Sequence, residues 1–90
     1  MYKVEFVSSA AKEFRSLEDR IKRRVAVAID MLRENPRPEG VRKLRGHERL
    51  YRIRVGSYRV VYEIDDQASL VRVTRIDIVG RYTGESNATA

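Results

Sequence analysis

Cysteine and tryptophan are missing from this 90-residue chain, and His47 is its single histidine. Without cysteine there are no disulfides and no thiolate metal ligands, and one imidazole does not make a zinc or catalytic cluster. No metal and no cofactor is therefore expected. Long apolar runs are missing too, since nothing approaches the ~20 residues that span a bilayer. The opening MYKVEFV alternates apolar and polar residues, unlike the apolar block of a signal peptide. A cytoplasmic protein that does not engage a membrane is the expectation. The length fits one small domain, burying roughly 60–65% of the surface its unfolded chain would expose.

Acid is the other shortage. Lysine and arginine number 19 against 13 aspartates and glutamates, a net +6. The stretch 42–59 holds seven basic side chains (Arg42, Lys43, Arg45, Arg49, Arg52, Arg54, Arg59) and one acid, Glu48. Its excess equals that of the whole chain, so the remainder is balanced. A localised excess reads as a footprint for a polyanion, whereas a spread one would read as a solubility feature.

Tyr2, Val4 and Phe6 alternate with Lys3 and Glu5, which predicts a strand over about 2–7. Ser8 or Ser9 can cap a short helix over roughly 9–17, with Ala10, Phe14 and Leu17 on one side. From Asp19 to about Arg33, Ile21, Val25, Ala28, Ile29 and Leu32 form one apolar stripe at helical period. Asn35-Pro36 stops that helix. Pro36–Gly46 reads as a connector anchored by Val41 and Leu44. Strands follow at about 49–55 and 58–64, then a turn at Asp65-Asp66-Gln67 and a last strand from Leu70 to Val79. The apolar phase of the last strand slips between Val71/Val73 and Ile76/Ile78, which predicts a bulge or burial on both faces. The result is an α+β fold of order β-α-α-β-β-β, two N-terminal helices on one face of a mainly antiparallel sheet. Residues 1–82 make the domain and 83–90 a small polar tail.

Between the middle strands, Gly56-Ser57 has the glycine-first signature of a two-residue type II′ turn. The register then pairs Val55 with Tyr58, Arg54 with Arg59 and Tyr51 with Tyr62. Tyr51, Ile53, Val55, Tyr58, Val60 and Tyr62 share the face that the helices cover. Arg52, Arg54 and Arg59 share the other. Like charges placed opposite one another on a sheet cost a few tenths of a kcal/mol or more. A pair of guanidinium forks suits phosphate oxygens, so the open face is expected to hold a phosphate-binding concavity. The competing expectation is that Glu63, Asp65 or a tail carboxylate pairs these arginines. The basic run Arg20, Lys22, Arg23, Arg24 reads as a solvated helix face, and His47 is assigned no role.

The run KLRG, the hairpin LYRIRVGSYRVVYEIDD and a closing strand together resemble the RelE/ParE superfamily of toxin–antitoxin toxins. The resemblance covers most of the chain, and its core is Gly56-Ser57-Tyr58-Arg59-Val60-Val61-Tyr62. RelE-like members cut mRNA in the ribosomal A site, whereas ParE-like members poison DNA gyrase. Basic residues at the positions of Arg52, Arg54 and Arg59, and again at Gly80-Arg81, resemble the RelE-like branch. That implies a metal-independent endoribonuclease in which a ribose 2′-OH attacks the adjacent phosphodiester. Arg59 and Arg81 would act on the scissile phosphate, Arg52 and Arg54 would support charge, and Tyr82 would stack or move a proton. Lys43, Arg45 and Arg49 would grip RNA backbone.

Two departures stand out. Arginine replaces lysine at 52 and 54, and a guanidinium stays protonated, so neither residue can act as a base. Tyr82 follows Arg81 immediately, earlier than the tyrosine typical of the family. The resemblance further implies a RelB-like antitoxin whose acidic helix wraps the toxin, with the ribosome and mRNA as target. Operator DNA would be met only through the antitoxin complex. The alternatives are a gyrase inhibitor and a catalytically weak RNA-binding relative.

Overall fold

The computed structural model describes residues 1–44 and 49–78. β1 (Lys3–Phe6) leads into α1 (Ser8–Arg15) and α2 (Asp19–Met31), followed by β2 (Arg42–Lys43), β3 (Leu50–Val55), β4 (Tyr58–Asp65) and β5 (Leu70–Ile78). The strands form one sheet in the order β1-β5-β4-β3-β2. Only β1 against β5 is parallel; the other pairs are antiparallel. The α+β arrangement read from the sequence is thus present, with one strand more. β2 arises from what read as connector, where Arg42 pairs with Arg52 and Lys43 with Tyr51. The amide of Leu44 donates to the carbonyl of Leu50 at 2.8 Å and closes this small hairpin.

The helices supply the predicted stripes. Ala10, Val25, Ile29 and Leu32 are buried against Val60, Tyr62, Ile64, Val71, Val73 and Ile76 of the sheet, with Phe14, Leu17, Ile21 and Ala28 packed around them. The expected serine cap of α1 is replaced. Ser8 is the first helical residue, Val7 occupies the cap position, and no side chain bonds there. The physical reason is continuity with the sheet: the Val7 amide donates to Val73 (3.0 Å) while its carbonyl accepts from Ala11 (2.9 Å). Strand and helix therefore share Val7, which takes the cap position and leaves both serines inside the first turn.

The apolar slip in β5 is a bulge. Tyr62 pairs with Val73 but Val61 pairs with Arg75, so Thr74 is the extra residue. Its hydroxyl donates to the Val61 carbonyl at 3.2 Å. The Ile76 amide beyond the bulge donates instead to the Glu13 carboxylate of α1, at 2.8 Å. Because of this slip both Val71/Val73 and Ile76 reach the helix-covered core.

At the opposite end from the hairpin tip, a polar latch ties the chain after α2 to the β4–β5 turn. Arg37 donates to both oxygens of Asp66 (2.9 and 3.3 Å) and lies over the Tyr51 ring, 5.3 Å from its centroid. The Tyr2 hydroxyl donates to the same Asp66 at 2.6 Å. Arg37 and Tyr2 hold the Asp66 carboxyl below its ordinary value, and Asp66 raises the Tyr2 phenol. A depressed acid contributes stability above its unfolded pKa and loses it as pH falls through the folded one; a raised phenol loses its contribution on the alkaline side. The latch is therefore fully made from about pH 5 to 9. Thermal melts across pH should show an acid limb that Asp66→Asn flattens below about pH 4.

Candidate functional site

The Gly56-Ser57 turn sets the site. Gly56 has φ +61° while Ser57 has none of the positive φ that a type I′ turn would require, so the turn is type II′ as the sequence predicted. The register follows without slippage: Val55 faces Tyr58, Arg54 faces Arg59, Arg52 faces Val61 and Tyr51 faces Tyr62. Tyr51, Val55 and Tyr58 pack on the helical core beside Ile53, Val60 and Tyr62. Arg52, Arg54 and Arg59 stand on the other face, where Arg42 joins them through its pairing with Arg52. Together with Gly40 and Ile53 these four arginines line a concavity of about 310 Å³.

Charge on that face is divided along the sheet. Towards β1 it is neutralised: Arg72 bonds Glu63 at 2.9 Å and approaches Glu5 at 3.8 Å. Towards β2 it is not, and among the described residues Arg42, Arg52 and Arg54 enter no ion pair. Arg59 stands at the border. Its Nε and Nη2 donate to the two carboxylate oxygens of Asp77 at 3.2 and 3.0 Å. Both side chains are mostly buried, 15% and 22% exposed, and Arg75 approaches the same carboxylate at 3.7 Å. The bidentate contact fixes the plane of the Arg59 guanidinium beside the unneutralised cations.

Those positions correct part of the sequence reading. The carboxylate on Arg59 comes from Asp77, a residue not considered for it, while Glu63 holds Arg72 and Asp65 accepts from the Ala68 amide. Arg42 is the member of the concavity that sequence reasoning missed. A two-residue strand carries no alternation, so the only signal was Arg42's place in the basic stretch. Lys43 pairs with Tyr51, which puts it on the helix-covered side of the sheet edge, away from the arginines. Arg49 is exposed in the turn entering β3. Arg45, Arg81 and Tyr82 lie outside the described residues, as do the end of the last strand at Val79 and the tail.

The sequence profile of the ParE toxin of type II toxin–antitoxin systems, parDE, matches residues 3–79. The chain belongs to this toxin family. Solved relatives place it on the RelE side of the RelE/ParE superfamily. The RelE toxin in the archaeal RelE–RelB complex from Pyrococcus horikoshii OT3 is 30% identical, with a TM-score of 0.79 over 89% of this chain and 97% of that one. Isolated E. coli RelE toxin is also 30% identical, with a TM-score of 0.80 over 90% of this chain and 87% of that one. A Methanocaldococcus jannaschii protein, named provisionally as toxin RelE1, is 28% identical over 76 residues, 79% of this chain and 84% of that protein. This protein is a RelE-like toxin of a type II toxin–antitoxin system. Two helices on a mixed, mostly antiparallel five-stranded sheet match the RelE structures, so the toxin's arginine concavity sits on a shared scaffold.

Proposed function

We propose that this toxin is an mRNA endonuclease that works on the ribosome, cutting in the A site by attack of a ribose 2′-OH on the neighbouring phosphodiester. The observation carrying this reading is the line of unneutralised cations, Arg42, Arg52 and Arg54, ending at an Arg59 clamped by Asp77. Attack on phosphorus adds negative charge to the non-bridging oxygens. Preset guanidinium donors stabilise that charge more in the transition state than in the substrate, which is what accelerates the step. Arg59 takes the scissile phosphate, Arg52 and Arg54 support the added charge, and Arg42 holds flanking backbone.

None of these guanidiniums can accept the 2′-OH proton. Tyr82 is our candidate for that transfer and Arg81 for a further phosphate contact, both following the last strand in sequence. Several solved relatives are in complex with the antitoxin RelB, and a RelB-like, acidic antitoxin is the proposed partner here. Contact with operator DNA would come through that complex, and the site of action would be cytoplasmic.

Primer extension on a defined mRNA, with and without programmed ribosomes, tests the activity. Cuts inside the A-site codon that need ribosomes are expected, and binding to RNA should fall steeply with salt, with a slope near −0.7 per phosphate contacted. Cutting of free RNA would remove the ribosome from the mechanism, and no cutting would reject the nuclease. The family match to ParE favours a second reading, gyrase inhibition with the arginine face as a docking surface. A supercoiling assay with purified gyrase separates the two.

A further inference from the structure

Glu13 belongs to α1, in the helical layer that covers the face of the sheet opposite the arginines. Its carboxylate nevertheless accepts the amide of Ile76 in β5 at 2.8 Å, in a partly buried contact. The next residue is Asp77, whose two oxygens hold the Arg59 fork. A helix on one side of the sheet thus grips the strand one residue before the brace on the other.

The bond between Glu13 and Ile76 depends on the register of β5. Within a strand the backbone N–H and C=O of one residue point to the same side, and successive residues alternate. The Val7 amide donates to the Val73 carbonyl at 3.0 Å, so Val73 turns its backbone groups towards β1. In an unbroken strand Arg75 and Asp77 would be the next to do so. The extra residue at Thr74 shifts the count by one, and Ile76 takes that direction instead. β1 has already ended there, its last pair being Phe6 with Val73. Glu13 fills the place of the missing strand neighbour.

Glu13 therefore meets the Ile76 amide only when β5 is bulged. With the slip undone, that amide would turn towards β4, and Asp77 would turn its side chain into the helix-covered core, since a one-residue shift exchanges the faces. The Thr74 hydroxyl, on the Val61 carbonyl at 3.2 Å, secures the bulge where it begins. Glu13 secures the strand after it, immediately ahead of Asp77.

We propose that Glu13 is a positioning residue for Arg59: by holding the Ile76 amide it keeps β5 in the bulged register that presents Asp77 to the arginine face. The link runs from the Glu13 carboxylate through the backbone of residues 76 and 77 to the Arg59 guanidinium. It crosses the sheet from the helical layer to the open face by way of the strand itself. That the aim of Arg59 serves cleavage rests on the nuclease reading above; that Glu13 sets the aim does not.

The acceptor at position 13, rather than its charge, is what the link requires. Glu13→Gln keeps an oxygen of the same reach, and Glu13→Ala removes it. Glu13→Asp keeps the charge but is one methylene too short, and it decides the matter if the alanine variant does not fold. Phe14→Leu is the control for general loosening of α1: it trims the Phe6–Phe14 contact, 5.6 Å between ring centroids, and leaves the Ile76 amide its partner.

The readout is hydrogen exchange of the Arg59 Nε–H, followed by NMR in the full chain and assigned by its loss or shift in Asp77→Asn. A protected signal is expected in the wild type. Exchange should quicken by about fivefold in Glu13→Ala and Glu13→Asp, the population change that goes with losing one net hydrogen bond. Glu13→Gln should return it towards the wild-type rate, and Phe14→Leu should leave it there. Unchanged exchange in the alanine and aspartate variants would overturn the proposal. Equal quickening in Phe14→Leu would do so too, because Glu13 would then be one more anchor of α1.

Ribosome-dependent cleavage is measured on the same proteins. Glu13→Ala should lower it, yet add nothing to the loss caused by Asp77→Asn; additive losses would mean that the effect bypasses the brace and would overturn the link. No cleavage by the wild type rejects the nuclease, while the exchange data still decide the role of Glu13.

Discussion

Replacing Arg59 by alanine should abolish ribosome-dependent cleavage, a loss of at least about a hundredfold, the usual effect of deleting one preset donor to a charged transition state. The fold should survive, because Asp77 keeps Arg75 at 3.7 Å and Arg59 belongs to the open face rather than the helical core. The informative companion is Asp77→Asn. It removes one negative charge from the face while taking away the bidentate brace of Arg59. Binding of oligoribonucleotide should therefore tighten, with a salt slope steeper by about 0.7, while cleavage falls. Only a brace whose value is position produces that split. If binding and cleavage fall together, Asp77 is a stability element; if neither changes, Arg59 does not need it. Asp77→Glu, which keeps the charge and moves the fork, should restore the wild-type salt slope and recover part of the cleavage.

The second large effect concerns stability. Tyr62→Ala should remove a large share of the folding free energy. Tyr62 is wholly inaccessible to solvent, its ring stacks with Tyr51 at 6.1 Å between centroids, and its hydroxyl donates to the Pro36 carbonyl at 2.7 Å. Truncating a buried aromatic side chain costs about 3–5 kcal/mol, against about 5–13 kcal/mol for a domain of this length. Burial pushes the phenol well above its ordinary pKa, so it remains a donor at every working pH. Tyr62→Phe keeps the packing and leaves the Pro36 carbonyl without its partner, at a cost of about 1–2 kcal/mol. Urea titration of the two variants measures packing and hydrogen bond separately. Equal midpoints for Tyr62→Phe and wild type would mean that water reaches the carbonyl.

The hairpin was legible because one dipeptide decides it. Gly56-Ser57 admits a tight turn, and every pair from Val55–Tyr58 to Tyr51–Tyr62 follows by alternation. The Asp77 brace was not legible, and the bulge explains why. Continued from Asp65–Leu70 without a slip, the β4–β5 register would put Ile76 opposite Arg59 and turn an isoleucine onto the charged face. The extra residue at Thr74 moves Asp77 into that place. The phase slip announced a bulge or burial on both faces, and only the ladder decides for the bulge and fixes where it falls. β2 was hidden for another reason. Two residues have no period, and their pairing is decided by the chain returning through Leu44 to Leu50. Hence Arg42 reads as connector in the sequence and as site in the structure.

The order of the sheet has a consequence for the making of the protein. β5 is the last of the described strands in chain order but sits inside the sheet, between β1 and β4. Until it emerges, the first strand has no neighbour, Val73, Ile76 and Val71 are missing from the core, and Arg59 has no Asp77. Closing so long a loop is slow compared with forming the hairpin. A nascent chain therefore carries its cations before it carries the brace that aims them, and the toxin becomes competent only after synthesis has delivered its final strand. For a protein whose proposed target is the translating ribosome, that delay protects the machine that is producing it.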